Sequence, residues 1–204
     1  MEKEKSTYLT ISKPSVGEIY KEKSSKFIGY AFPVISGNEI KEAINKVKKE
    51  HSKARHWCYA WQLGIDKIAY RANDDGEPNN SAGKPIYGQI LSKELTNILI
   101  VVVRYYGGTK LGVGGLISAY KLAANYSLEK AKIIEKIVKI ELDIVFEYKD
   151  INIVMRLINK HNIEIIDKQM HLNCNYKIGV DKSIYQEVIN QINTLRSIKI
   201  NKNE

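Results

Sequence analysis

The sequence is poor in the residues that mark many catalytic, secreted or membrane-bound proteins. Only two of its 204 residues are cysteine, and Cys58 and Cys174 lie too far apart in sequence for a zinc-finger pair. A chain of this length needs no disulfide, so we expect reduced thiols. No run approaches the roughly 18 apolar residues of a membrane span, and the charged residues 2–5 are unlike a signal peptide. These absences predict a cytoplasmic protein without a membrane partner.

Arginine is also scarce, although the chain is basic. It has 32 Lys and Arg residues against 23 Asp and Glu, a net charge of +9, and only five of the basic residues are arginine. A basic surface favours polyanionic partners such as nucleic acid, because phosphate neutralisation releases counterions. The excess of lysine is spread along the chain, so an ordinary basic surface is the alternative interpretation.

Hydrophobic periodicity predicts alternating strands and helices through the first two thirds of the chain. Ser36 and Glu39 form a capping box that begins a helix. The predicted elements are a hairpin over 18–34 with its turn at 24–26, the helix after Ser36, a strand covered on both faces over 57–63, a helix over 85–93, a buried strand over 98–103 and a deeply buried helix over 115–131 with Ile117 inward.

The pattern restarts near Lys139 with an alternating strand. A helix capped by Asp150, two strands across 163–179, a helix after Asp181 and a strand near 196–200 follow. The order βαββαβ is that of a ferredoxin-like domain. The sequence therefore predicts an α+β protein with an N-terminal domain over 1–136 and a C-terminal domain over 137–204.

The segment 104–115 is the strongest candidate for a binding site, because it joins the buried strand to the buried helix and is rich in glycine. It holds five of the 13 glycines, at Gly107, Gly108, Gly112, Gly114 and Gly115. Glycine lets a ligand approach the backbone, and the start of a helix presents unpaired N–H groups to an anion. Arg104 and Lys110 add positive charge, and Tyr105 and Tyr106 add stacking surfaces.

Known nucleotide loops differ from this segment. No Gly-Lys-Ser/Thr sequence closes it, and its glycine spacing is not that of the dinucleotide fingerprint. The alternative is that the glycines only allow tight packing between strand and helix. We expect a binding loop, because a structural turn rarely needs five glycines beside Arg and Lys.

Metal and nucleophile motifs are weaker. Asp74, Asp75 and Glu77 lie within four residues and are the right chemistry for a cation such as Mg²⁺, but Asp-Gly and Glu-Pro are also ordinary turn sequences. His56 and Cys58 lie two apart on a strand, too far for their short side chains to hydrogen-bond. We expect no catalytic residue, no metal and no cofactor.

Several of these segments together resemble the YigZ/IMPACT family over almost the whole chain. The matching segments are Ser25-Lys26-Phe27, residues 54–60, residues 74–78, Gly83-Lys84-Pro85 and above all 104–115. The resemblance implies an N-terminal domain folded like the second domain of a small-subunit ribosomal protein, and a C-terminal domain like the last domain of elongation factor G. Eukaryotic members restrain a kinase of translation initiation through an extra N-terminal module, a role that we do not transfer because residues ahead of Ser25 leave no room for it.

These observations lead to one main hypothesis and two alternatives. The main hypothesis is a protein that regulates translation by binding RNA or the ribosome through residues 104–115, with further contacts from Arg55, His56, Arg71 and Lys84 and an acidic turn of unknown role beside them. The first alternative is an enzyme that acts on a small phosphorylated or nucleotide ligand in the same loop. The second is an adaptor whose C-terminal domain binds a protein partner.

Overall fold

Strands and helices alternate along both parts of the chain. The computed structural model describes residues 5–195 and 197–201. It divides into a first unit, Tyr8–Lys136, and a second unit made of the described residues of Met1–Thr7 and Ile137–Glu204. Its described residues form five α-helices and antiparallel sheets, which confirms the α+β class. None of those helices is both long and apolar enough to cross a bilayer.

The first unit is built around one large antiparallel sheet. Its strands follow the order β2-β4-β7-β5-β6, with β3 paired to β4, while β1 and β8 form a separate two-stranded sheet. The elements are β1 (Thr7–Ile11), β2 (Ser15–Val16), β3 (Tyr20–Glu22), β4 (Ser25–Pro33), α1 (Gly37–Glu50), β5 (His56–Leu63), β6 (Ala69–Asn73), α2 (Gly83–Ser92), β7 (Ile98–Tyr105), α3 (Gly112–Glu129) and β8 (Ile133–Ile137).

Strand β7 lies at the centre of this sheet, as its unbroken apolar run predicts. Every residue from Ile98 to Arg104 is buried. Apolar residues of α2 and α3 pack with one face of the sheet, and those of α1 pack with the other. A β-branched sequence suits this place because both faces of the strand are covered.

Several details of the first unit differ from the sequence prediction. The hairpin turns at Lys23 and Ser24, one residue earlier than predicted, and both have positive φ, as a two-residue type I′ turn requires. Helix α3 begins at Gly112 rather than Gly115, and the prediction that Ile117 points inward is wrong. Ile117 is 38% exposed because the buried stripe runs through Leu116, Tyr120 and Ala123 beside it.

The second unit is a four-stranded antiparallel sheet in the order β10-β11-β9-β12. Apolar residues of both helices pack with those of the sheet in one core. Asp150 makes no side-chain capping bond, contrary to the prediction, because a short 3₁₀ turn over Tyr148–Asp150 leads into the helix. The elements are β9 (Lys139–Glu147), α4 (Ile151–Lys160), β10 (Glu164–Met170), β11 (Asn173–Asp181), α5 (Tyr185–Thr194) and β12 (Ile198–Asn201).

Candidate functional site

The end of strand β7 brings several of the predicted site residues together. Arg104 lies opposite Phe27 of β4 and opposite His56 of β5 in the register of the sheet. Paired residues of neighbouring antiparallel strands point to the same face. Arg104 and His56 therefore share the face that packs with α2 and α3, at the point where the glycine loop begins.

Arg104 is buried instead of facing solvent. Its side chain is 5% exposed, and its Nη1 donates to the Glu77 carboxylate at 2.6 Å, where Glu77 is equally buried. The Tyr120 hydroxyl donates to the same oxygen at 2.8 Å. Burial raises the pKa of Tyr120, so this hydroxyl stays a donor. Glu77 thus balances the charge of Arg104, which is not the exposed cation that the sequence predicts.

The same guanidinium contacts the glycine loop on its buried side. It lies 5.3 Å from the centre of the Tyr106 ring, and its Nη2 donates to Ser25 Oγ at 3.5 Å. Ser25 Oγ also accepts from the Gly107 amide at 3.2 Å. Arg104 is therefore a support of the loop, with its own Nε buried and without a hydrogen-bond partner among the described residues.

The two tyrosines of the loop have different surroundings. Tyr105 packs on the α1 side of the sheet, where its hydroxyl lies 2.8 Å from His51 Nδ1. Tyr106 is 41% exposed, and its hydroxyl donates to the Gly108 carbonyl at 2.8 Å. Only Tyr106 is therefore placed to offer the stacking surface that the sequence predicts for both.

Four of the five glycines have structural reasons to be glycine. A Cβ on Gly107 would lie 2.1 Å from the Ser24 backbone, and one on Gly115 would press on Leu111 at 3.1 Å. Gly108 and Gly112 have φ of +88° and +74°, which other residues rarely adopt. Gly114 differs, because no positive φ requires it and a Cβ there would meet nothing within 4 Å.

The first turn of α3 is open to an anion. Leu111 occupies the N-cap position without a side-chain capping bond, and no acidic residue lies in the first turn. Among the described residues, none accepts a hydrogen bond from the amides of residues 108–110. Lys110 is exposed beside them. Free amides, the positive end of the helix dipole and a lysine favour a negatively charged ligand.

The acidic turn stabilises the fold through each of its three carboxylates. Asp74 accepts from the amides of Ala82 and Gly83 at 2.9 and 2.8 Å and so caps helix α2. Asp75 accepts from the Trp57 amide at 2.7 Å, and Glu77 binds Arg104. No group of three or more His, Cys, Asp or Glu side chains in the described part of the chain is placed to hold a metal ion.

Four basic residues outside the loop are also predicted to contact the ligand, and the structure separates Arg71 from the other three. Arg55 is exposed next to His56, whose Nδ1 lies 2.8 Å from the Asp75 carbonyl, and Lys84 is exposed in the first turn of α2. Arg71 pairs with Trp61, which in turn pairs with Leu99. This register puts Arg71 two strands from β7 and five positions, or about 17 Å, further along the strand direction from Arg104. Arg71 is therefore not at the loop.

Sequence reasoning missed two members of this cluster. Tyr120 lies in the helix that the sequence predicts to be deeply buried, yet its hydroxyl is part of the buried polar network. Ser25 lies in the predicted hairpin turn, yet its hydroxyl joins Arg104 to the loop. The sequence signal for each was its hydroxyl group, in a helix that is otherwise mainly apolar for Tyr120 and beside a turn for Ser25.

The net charge is divided unequally between the units, although the basic residues themselves are spread evenly along the chain. Residues 8–136 hold 20 Lys and Arg against 12 Asp and Glu, a net charge of +8. Residues 137–204 hold 10 against 9, a net charge of +1. The unit with the glycine loop therefore carries nearly all of the excess.

Fold and site together define a basic α+β protein with an exposed glycine loop. Comparison with known proteins identifies its family. The profile of the Impact N-terminal domain matches residues 23–128. The chain belongs to the IMPACT family. Three similar proteins are an IMPACT family member of Haemophilus influenzae (34% identical, 78% of this chain and 79% of the relative), YigZ of Escherichia coli (35%, 71% and 72%) and YvyE of Bacillus subtilis (38%, 64% and 59%).

One solved structure resembles the chain over nearly its full length. It is a crystal structure described as that of a hypothetical protein, and it is 28% identical. The match covers 98% of this chain and 100% of the other with a TM-score of 0.77. It supports the fold of both units and carries no function.

Proposed function

We propose that the protein binds RNA or a ribosomal surface in the cytoplasm and regulates translation, with the backbone of residues 108–114 contacting phosphate groups. The link with translation comes from the family resemblance. The link with phosphate comes from the loop itself, where free amides and Lys110 lie together on the basic unit. We further propose that the first unit is like a ribosomal-protein second domain and that the second is ferredoxin-like, which its strand order β12-β9-β11-β10 supports.

The observation that carries the proposal is Gly114. Packing and backbone conformation explain the other glycines of the loop, but neither explains this one. Glycine is a poorer helix former than alanine, by roughly 0.5–1 kcal/mol in the middle of a helix, so helix stability does not favour glycine at this position. Close approach of a ligand to the amides is a physical reason to have glycine there.

The acidic turn argues against the alternative of a cation-dependent enzyme in the same loop. Each of its carboxylates already accepts hydrogen bonds from the protein, as described above. A cation would have to replace those bonds at the cost of the α2 cap or of the buried ion pair. The binding function therefore fits the described residues better.

Gly114→Ala tests the proposal without a burden on the fold, because the added methyl group meets open space. We expect binding to a labelled single-stranded RNA of about 12 nucleotides to weaken roughly 10- to 100-fold, as for one lost hydrogen bond to a charged group. Gly37→Ala is the matched control, since Gly37 also lies in a first helical turn with open space around its Cβ. Equal affinity of the two variants in fluorescence anisotropy would contradict the proposal.

Lys110→Ala tests the electrostatic part. The slope of log K against log salt should become shallower by about 0.7, the value for one phosphate contact on a single strand. Lys41→Ala, which removes an exposed lysine of α1, should lower the slope less. An unchanged slope in Lys110→Ala, or RNA binding by the wild-type protein that does not respond to salt, contradicts phosphate contact at the loop.

A further inference from the structure

We propose that the exposed face of Tyr106 is a stacking platform for an unpaired base, so that the loop selects single-stranded over double-stranded RNA. This inference rests on the proposed function and adds the class of nucleic acid to it. It depends on the surroundings of one ring, which differ from those of the other aromatic residues near the sheet.

One side of the Tyr106 ring is covered by Arg104, whose guanidinium carbon lies 5.3 Å from the ring centre. Since Arg104 is almost fully buried, it lies on the protein side of the ring. The exposed 41% of Tyr106 is therefore the part that points away from the protein. A ring with a cation behind it and a free face in front has the form of a stacking surface.

The ring is also fixed in place before any ligand binds. Its hydroxyl donates to the Gly108 carbonyl, and its inner face rests on a guanidinium that is held by Glu77. A side chain that is already ordered loses little rotamer entropy on binding. Stacking on Tyr106 would therefore cost less than stacking on a mobile surface tyrosine.

Tyr106 and the anion-binding amides belong to the same short loop. The hydroxyl bond to Gly108 joins the ring directly to the segment whose amides are free. A single-stranded RNA whose phosphate contacts residues 108–114 thus brings a neighbouring base towards the Tyr106 ring. In a duplex the bases are stacked on each other and offer only their edges, so a duplex would gain the phosphate contact alone.

Other aromatic residues of the first unit do not combine an exposed ring with a place in the loop. Tyr70 is 60% exposed and stacked on Tyr87, but it pairs with Gln62, which pairs with Ile98, six positions along β7 from Arg104. Tyr105 is hydrogen-bonded to His51. Trp57 and Trp61 are half-buried against the α1 core. Tyr106 is the aromatic residue of the loop with a ring face directed to solvent, and it is the one that the inference concerns.

Fluorescence anisotropy with an RNA of about 12 nucleotides, alone or annealed to its complement, tests the inference. Tyr106→Leu should weaken single-strand binding by roughly 5- to 100-fold and leave duplex binding unchanged. Tyr106→Phe keeps the ring and loses the hydroxyl, so it should bind the single strand within about threefold of wild type. Tyr148→Leu, at a tyrosine that is 60% exposed in the second unit, is the control.

A base analogue provides a direct readout of stacking. The fluorescence of 2-aminopurine in the single strand should be quenched by wild type and Tyr106→Phe, but not by Tyr106→Leu. Tyr106→Leu must keep the wild-type urea midpoint in tryptophan fluorescence, which reports on the first unit because both tryptophans lie there. If that midpoint falls, the Phe variant and the quenching in wild type decide the question.

The outcomes separate the inference from the function beneath it. Wild-type binding of both RNAs with equal losses in Tyr106→Leu would mean that the ring only holds the loop, which overturns the inference and leaves the proposed function intact. Unchanged single-strand affinity in a folded Tyr106→Leu also overturns it. Failure of the wild-type protein to bind either RNA would overturn the proposed function and the inference together.

Discussion

The first unit buries an arginine beside a glutamate, whereas the second unit keeps its lysine–glutamate pairs at the surface. The side chains of Arg104 and Glu77 are each 5% exposed. In the second unit the pairs Lys139–Glu164 and Lys177–Glu141 are 38–58% exposed, and Lys149–Glu147 is more exposed still. The two units thus use opposite charges in different ways, although both are sheets packed with helices.

The difference shows that a buried ion pair can fix the positions of chain segments without adding much to the stability of the fold. A buried ion pair often stabilises a protein no more than apolar residues of similar volume would. Loss of one partner, however, strongly destabilises the protein, because the other charge stays buried without compensation. The pair in the first unit ties the acidic turn, α3 and the glycine loop to one point through Glu77, Tyr120 and Arg104. In the second unit an apolar core lies between the helices and the sheet, and the three lysine–glutamate pairs lie outside it at the surface.

The largest expected effect comes from removing one partner of the buried pair. Arg104→Met leaves the Glu77 carboxylate buried without its cation and should lower the free energy of unfolding of the first unit by about 3–5 kcal/mol. Each unit holds one buried cysteine, Cys58 in the first and Cys174 in the second. Alkylation followed by mass spectrometry should therefore show Cys58 reacting at least about a hundredfold faster while Cys174 keeps its wild-type rate.

The double variant Arg104→Met/Glu77→Gln separates charge from packing. A neutral amide can still accept from Tyr120 and carries no buried charge, so at least half of the lost stability should return. A double variant as unstable as the single one would show that the loss comes from packing around the arginine. A single variant as stable as wild type would break the comparison between the units altogether.

A smaller loss of stability is expected from a change in the acidic turn, and it tests whether the turn caps helix α2 or binds a cation. Asp74→Ala removes the acceptor for the amides that begin α2 and should cost about 1–2 kcal/mol, as other caps do. Asp74→Asn, which keeps an oxygen acceptor, should recover most of this. The urea midpoint followed by tryptophan fluorescence measures both, and millimolar Mg²⁺ should not shift it in wild type. A midpoint raised by Mg²⁺ and insensitive to it in Asp74→Ala would restore the cation site.

The sequence was sufficient for elements that hydrophobic periodicity and capping residues determine. The buried strand before the loop and the helix after Ser36 are present where the pattern predicts them. Edge strand β6 was missed because its residues are mostly exposed and show no alternation of buried and exposed positions. Periodicity reports burial, so an element with little burial gives little signal.

The site shows the same division between local and long-range information. The glycine loop is visible in sequence because its residues are consecutive. The pairing of Arg104 with Glu77 joins residues 27 positions apart, and only the register of β5 and β7 with the acidic turn brings them together. Residue type suggested an exposed cation for Arg104, whereas tertiary structure made it a buried support.

The smallest expected effect completes the comparison in the second unit. Lys177 donates to Glu141 at 2.8 Å across neighbouring strands, and this bond raises the pKa of the lysine. Both side chains remain in water, which screens the attraction and leaves each solvated when its partner is lost. Lys177→Ala should therefore leave the alkylation rate of Cys174 unchanged, since Cys174 lies in the same strand, β11. A rate that rises as steeply as that of Cys58 in Arg104→Met would mean that the surface pair holds its unit together as the buried one does.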